Sequence, residues 1–109
     1  QTAVDGRGHR HVAAVEVESF IALHPDVQTV QVVGRSDARL DEVPVAFVEA
    51  VPGAGLDEAG IIDFCSGSIA RYKVPRAVYF VAPGEWPMSL TKIDKRVLRA
   101  WAASDAAAL

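Results

Sequence analysis

Two valine-rich runs, Val27 to Gly34 and Pro44 to Val51, constrain this chain most, because their residues alternate with a period of two. In the first, Val30 and Val32 stand against Thr29, Gln31 and Val33; in the second, Val45, Phe47, Glu49 and Val51 stand against Ala46, Val48 and Ala50. Branched residues in alternation suit a pleated, half-buried surface, so both runs read as strands. Pro44 falls at the start of the second, where a missing amide is tolerable. The polar stretch Arg35 to Glu42 reads as their connection, and Pro52-Gly53-Ala54-Gly55 breaks the chain after them. Ala77 to Ala82 gives a third strand, with Val78 and Phe80 opposing Tyr79 and Val81.

Helical periodicity fills the intervals. From Val12 to Leu23, Ala13, Val17, Phe20 and Ile21 share one side while Glu16, Glu18 and Ser19 lie away from its centre, and Pro25 stops the helix. Asp57 is the expected N-cap of a helix running to about Ala70, with Ile61, Ile62, Cys65 and Ile69 as its buried stripe. Cys65 on that stripe is explained as a small core residue, since no cation at helical spacing would activate its thiol. Ile93, Val97, Leu98 and Trp101 define a last helix with Lys95, Arg96 and Arg99 on its polar side, and Ala102 to Leu109 is expected to fray. The order helix, strand, strand, helix, strand, helix predicts an α+β fold, a small sheet of about three strands with helices packed on it. One domain is expected over residues 12–109, preceded at 1–11 by a disordered arm, a cut hinge or a foreign remnant.

With 109 residues, 50% hydrophobic and 23% charged, the chain can fill one core, which excludes disordered and fibrous classes. A net charge of -3 disfavours nucleic acid as a partner. The single cysteine excludes an internal disulfide and points to a reducing cytoplasm. No apolar stretch reaches the roughly 18 residues of a membrane-spanning helix, so no transmembrane segment is expected. His9 and His11 lack neighbouring ligands of suitable spacing, so no metal site is expected.

Chemistry concentrates in Trp86-Pro87-Met88-Ser89-Leu90-Thr91-Lys92-Ile93-Asp94-Lys95-Arg96. Lys92 sits in a short polar loop between an apolar run and a helix, with Trp86, Pro87 and Met88 as a stiff base. A lone cation on a loop braced at both ends suits an anion that gains charge during a reaction. This element, together with His24-Pro25-Asp26-Val27, Glu16-Val17-Glu18, the set Asp37, Leu40, Glu42, Val43 and Pro44, and Arg71-Tyr72-Lys73-Val74-Pro75-Arg76, resembles the C-terminal domain of adenylate-forming acyl-CoA synthetases over about residues 12–100. Thr91 stands where that family usually has glycine, and Pro87 is one residue closer to the lysine. Residues 1–11 do not reproduce the family's glycine-rich hairpin and acidic hinge, and no phosphate loop is present.

The resemblance implies a catalytic lysine, Lys92, and a CoA-nucleotide region at Tyr72, Lys73 and Arg76. It implies a ligase that joins a fatty or other hydrophobic carboxylic acid to AMP using ATP and then transfers the acyl group to CoA. ATP, CoA and the carboxylic acid would be its substrates, Mg2+ would accompany ATP in a separate N-terminal adenylate-binding domain of the same enzyme, and this chain alone would be inactive. A carrier-protein thiol in place of CoA is an alternative acceptor. A non-enzymatic module binding an anionic partner through Lys92, Lys95, Arg96 and Arg99 is a second alternative. For Tyr72, Lys73 and Arg76, a helix C-terminus that favours cations is a competing account.

Overall fold

The computed structural model describes residues 3–4, 10–11, 14–39 and 41–108. Ala3–Val4 (β1) and Arg10–His11 (β2) pair antiparallel, the described part of the segment expected to be an arm. Then come α1 (Ala14–Ile21), β3 (Val27–Asp37), β4 (Asp41–Ala50), α2 (Glu58–Cys65), a single 3-10 turn over Arg71–Lys73, β5 (Ala77–Phe80), β6 (Met88–Ser89), β7 (Lys92–Ile93) and α3 (Lys95–Ala108). The main sheet has the order β3-β4-β5, with β3 antiparallel and β5 parallel to β4.

The alternation in β4 sends Ala46 and Val48 to one side and Val45 and Phe47 to the other, and all four are buried. On the first side Val30, Val32, Ala46, Val48 and Val78 meet Val17 and Ile21 of α1 and Ile61 and Cys65 of α2. On the second, Val33, Val45, Phe47 and Val81 meet Leu98 and Ala102 of α3. The architecture is α+β, with a main sheet of three strands and helices on both its faces, as the periodicities predict.

Four details depart from the sequence reading. Arg35 to Glu42 is mostly strand, since pairing continues through Arg35↔Val43 and Ser36↔Glu42 to Asp37↔Asp41; the far end of a hairpin keeps its ladder without burying its polar side chains. Pro44 is therefore inside β4. Its carbonyl accepts from Arg76 N at 2.8 Å, so its nitrogen points to the same side, where β5 has not begun its pairing and no amide is needed. α2 stops at Cys65, because Ser66 is extended (ψ 130°) and Gly67 takes φ 82°. Finally, α3 continues to Ala108 and Ala102 is wholly buried, one turn beyond Leu98 on the same face, where alanine's helix propensity and close packing oppose fraying.

The phrase His24-Pro25-Asp26-Val27 has a local structural cause. His24 Nδ1 accepts from Asp26 N at 3.0 Å, and its ring stands edge-on to Phe64, which also stacks on Phe20. The turn between α1 and β3 is thereby tied to α2.

Candidate functional site

Lys92 lies on a β-hairpin. Met88 pairs with Ile93 and Ser89 with Lys92, and Asp94 N donates to Pro87 O at 2.8 Å to close the ladder. Side chains opposite one another share a face, so Met88 and Ile93 lie on one side and Ser89 and Lys92 on the other. Ile93 packs against the second core, which turns Lys92 outward. Its side chain is exposed, and among the described residues no hydrogen bond or ion pair engages its ammonium.

Both ends of the hairpin are anchored. Trp86 packs on the second core and donates Nε1 to Glu49 Oε1 at 2.8 Å. At the other end Asp94 caps α3: its Oδ1 accepts from Arg96 N at 3.0 Å, and its carboxylate also meets the Arg96 guanidinium at 3.1 and 3.2 Å. The side-chain hydrogen bond from Arg96 is the main cause that holds the Asp94 carboxyl below, and the Asp94 carboxylate holds Arg96 above, their ordinary pKa values. A third anchor lies just beyond. Lys95 Nζ is 3.1 Å from Glu18 Oε1 of α1, and 3.4 Å from Val32 O on the outer edge of β3. Glu18 Oε1 itself accepts from Val32 N at 2.8 Å.

The turn joining the two short strands is Leu90-Thr91. Leu90 takes φ 58°, the one non-glycine residue with a positive φ among those described, and its side chain is 98% exposed. A two-residue hairpin loop with positive φ only at its first position has the form that glycine ordinarily fills there. Between the hairpin and β3 lies an open groove of about 660 Å³, lined by Thr29, Gln31, Trp86, Met88, Lys92 and Lys95, among others.

Tyr72, Lys73 and Arg76 lie elsewhere. Lys73 is buried, and its ammonium bonds directly to the Glu16 carboxylate of α1. That hydrogen bond is the main reason the Lys73 pKa stands above, and the Glu16 pKa below, its ordinary value. Tyr72 is 41% exposed, with the Lys73 ammonium 5.8 Å from its ring centre. Arg76 reaches Asp37 at 3.9 Å with its side chain half exposed. Because Glu16 belongs to α1 and Ile93 to the α3 side, the sheet separates Lys73 from the Lys92 hairpin. The structure therefore groups the candidate residues into two regions.

Cys65 is wholly buried, and desolvation pushes its thiol up to about 11, which leaves it protonated and unreactive at neutral pH. The described residues contain no cluster of three or more His, Cys, Asp or Glu side chains able to hold a metal ion. No described helix is long and apolar enough to cross a membrane.

Sequence reasoning assigned no anchoring role to Asp94, Glu49 or Glu18, although Asp94 and Glu18 stand within the phrases that carry the resemblance. Asp94 carried a readable signal, a capping residue directly before a helical period. The other two act through partners distant in the chain and had none.

A three-stranded mixed sheet, helices on both faces and an outward lysine on an appended hairpin define a small α+β domain. Comparison with known proteins gives its family. Residues 16–95 match the AMP-binding enzyme C-terminal domain, and the chain belongs to that family. It is 43% identical over 74 residues to the crotonobetaine/carnitine–CoA ligase of Proteus mirabilis (strain HI4320), a match covering 68% of this chain and 14% of that ligase. It is 37% identical over 94 residues to the mitochondrial medium-chain acyl-CoA ligase ACSF2 of Danio rerio, covering 85% of this chain and 15% of that protein. Among solved structures, the anthranilate CoA ligase AuaEII in complex with anthranoyl-AMP superposes with a TM-score of 0.73 at 34% identity, covering 97% of this chain and 24% of that one. The Mycobacterium tuberculosis fatty acyl CoA synthetase gives 0.75 at 32% identity, covering 95% and 20%. The chain thus spans only about a seventh of the curated relatives' length at 14% and 15%.

Proposed function

We propose that this chain is the C-terminal domain of an ATP-dependent acyl-CoA synthetase and that Lys92 is its catalytic residue for adenylation. The observation that carries this reading is the exposed, unengaged ammonium of Lys92 on a hairpin anchored at Trp86, Asp94 and Lys95. In the first half-reaction a carboxylate oxygen attacks the α-phosphorus of ATP, an acyl-phosphate bond forms, and pyrophosphate leaves. Lys92 orients the carboxylate and offsets the negative charge that gathers around the α-phosphate, as a point charge rather than a nucleophile. In the second, the CoA sulfur attacks the acyl carbonyl, AMP leaves with the bonding pair, and the thiol proton passes to solvent or a base.

The nucleotide-holding surface belongs to the remainder of the enzyme, the N-terminal domain that completes the site. No step here runs through a metal held by this chain. For CoA, Tyr72 offers an aromatic face and Arg76 a guanidinium to phosphate, whereas Lys73 anchors the segment to α1 through Glu16. Because Lys73 and Lys92 are on opposite sides of the sheet, the two half-reactions use different faces of this domain. The enzyme acts in the cytoplasm on a hydrophobic carboxylic acid.

The test is Lys92→Ala in the full-length enzyme, with the half-reactions assayed separately. Pyrophosphate release from ATP and acid should fall by roughly a hundredfold or more, the scale of losing one preorganised charge at a transition state. Thioester formation from supplied acyl-adenylate should be largely spared. Unchanged pyrophosphate release would refute the role of Lys92, and thioester formation with a carrier protein but not with CoA would refute the acceptor.

A further inference from the structure

The hairpin places a large apolar side chain where its backbone least favours one. Leu90 has φ 58° in the turn and is 98% exposed, so its side chain contributes almost nothing to the packing of its own domain while the backbone carries the strain of a left-handed residue. Glycine or asparagine would relieve that strain. Met88, two residues earlier, is also 57% exposed, and Lys92 follows two residues later, so apolar groups and the ammonium project from one small hairpin. We infer that Leu90 is an apolar anchor that seats the hairpin, and with it Lys92, against the rest of the enzyme. Its partner is an apolar wall of the nucleotide-holding portion of the same polypeptide, beside the pocket that receives the carboxyl group. The relatives extend far beyond the match, which covers 14% to 24% of their length, and the partner is assigned to that remaining portion. Leu90 is a positioning residue, since it acts through the placement of Lys92. The inference rests on the adenylation role of Lys92.

Three substitutions separate side chain from backbone. Leu90→Gly and Leu90→Asn both accept the positive φ but remove the apolar group; Leu90→Met keeps an apolar group of similar volume. In the full-length enzyme, Leu90→Gly and Leu90→Asn should lower kcat/KM for pyrophosphate release by roughly 10- to 100-fold, the equivalent of one leucine's burial. Leu90→Met should recover most of that loss, and thioester formation from supplied acyl-adenylate should be unaffected in all three. The thermal midpoint of the 109-residue chain should be unchanged or raised by glycine and asparagine. The inference is overturned if Leu90→Asn adenylates at the parent rate, or if Leu90→Met falls as far as Leu90→Gly. Lys92→Ala assayed in parallel keeps the two claims apart: if it spares adenylation the role of Lys92 fails, whereas if it cripples adenylation while Leu90→Gly and Leu90→Asn adenylate at the parent rate, only the anchor fails.

Discussion

Replacing Glu18 by alanine removes the acceptor of an inward-lying main-chain donor. Val32 is 0% exposed and its N–H has Glu18 Oε1 at 2.8 Å. A buried donor stripped of its partner costs about 1–3 kcal/mol. The same carboxylate meets Lys95 at 3.1 Å, with the two side chains 19% and 30% exposed, and such a partly screened ion pair adds about 0.5–1 kcal/mol. Glu18→Ala should therefore destabilise the chain by about 1.5–4 kcal/mol. Glu18→Gln keeps a side-chain oxygen for Val32 N and loses only the charge, so it should cost about 1 kcal/mol. Urea unfolding of the 109-residue chain measures both. With a slope of about 1.5 kcal/mol/M, the alanine variant's midpoint should fall by roughly 1–2.7 M at unchanged slope. Lys95→Met alone and with Glu18→Gln completes a double-mutant cycle whose coupling should be about 0.5–1 kcal/mol. A loss below about 0.5 kcal/mol for Glu18→Ala, the range of an indifferent surface change, would refute the reasoning. So would equal losses for glutamine and alanine.

Asp57 Oδ1 accepts from Gly60 N at 2.8 Å, so Asp57→Ala should cost about 1 kcal/mol of α2 stability and Asp57→Asn markedly less, read from thermal melts followed by circular dichroism. An Asp57→Ala melt matching the parent would show that the cap carries no weight. Cys65 has a folded thiol pKa of about 11 against an ordinary 9.0, so its protonated form stabilises the fold fully below pH 9 and that contribution is lost as pH rises toward 11. Stability measured from pH 8 to 11 should fall more steeply in the parent than in Cys65→Ala, and iodoacetamide at pH 8 should label Cys65 only after unfolding; parallel pH profiles or rapid native labelling would contradict its burial.

Period-two and period-3.6 patterns made most of the elements readable, because each strand and helix buries one or two defined faces. Val45, Phe47, Ala46 and Val48 announced a strand apolar on both sides, and Ile61 and Cys65 a helical stripe. Legibility failed where polarity stood in for conformation. Arg35 to Glu42 is polar because the hairpin end is solvated, although its main chain remains paired. Ala102 to Leu109 is expected to fray as a chain end, yet Ala102 is buried in the second core, where its small side chain lets α3 approach the sheet. The site was half readable: Lys92 and its Trp86-Pro87 base stood out in sequence, while the partners that set the geometry did not. Glu16 meets Lys73 across 57 positions and Glu49 meets Trp86 across 37, pairings that only the fold creates. The positive φ of Leu90 was equally hidden, since it arises from a two-residue turn without glycine.

Two other glutamates, Glu18 and Glu58, answer how a three-stranded sheet avoids gaining a fourth strand. Val32, Ala46 and Val78 stand in one row across β3, β4 and β5. The two edge residues of that row turn their N–H groups to glutamates rather than to a neighbouring strand: Glu18 of α1 accepts from Val32 and Glu58 of α2 accepts from Val78, at 2.8 and 2.9 Å. Both helices pack on the same face, so each folds one carboxylate around an opposite edge. An intruding strand would have to displace a charged acceptor at the middle of either ladder, which protects the sheet from edge-to-edge association. A domain whose edges are closed this way meets a partner through side chains and appended hairpins rather than by strand addition. The edges differ in one respect. At β3 the glutamate also holds Lys95, the first residue of α3, so the face carrying the Lys92 hairpin is tied to α1 across the sheet's rim. Loosening that tie by Glu18→Ala should disturb the hairpin as well as the core, whereas loosening the β5 edge at Glu58 should leave it in place.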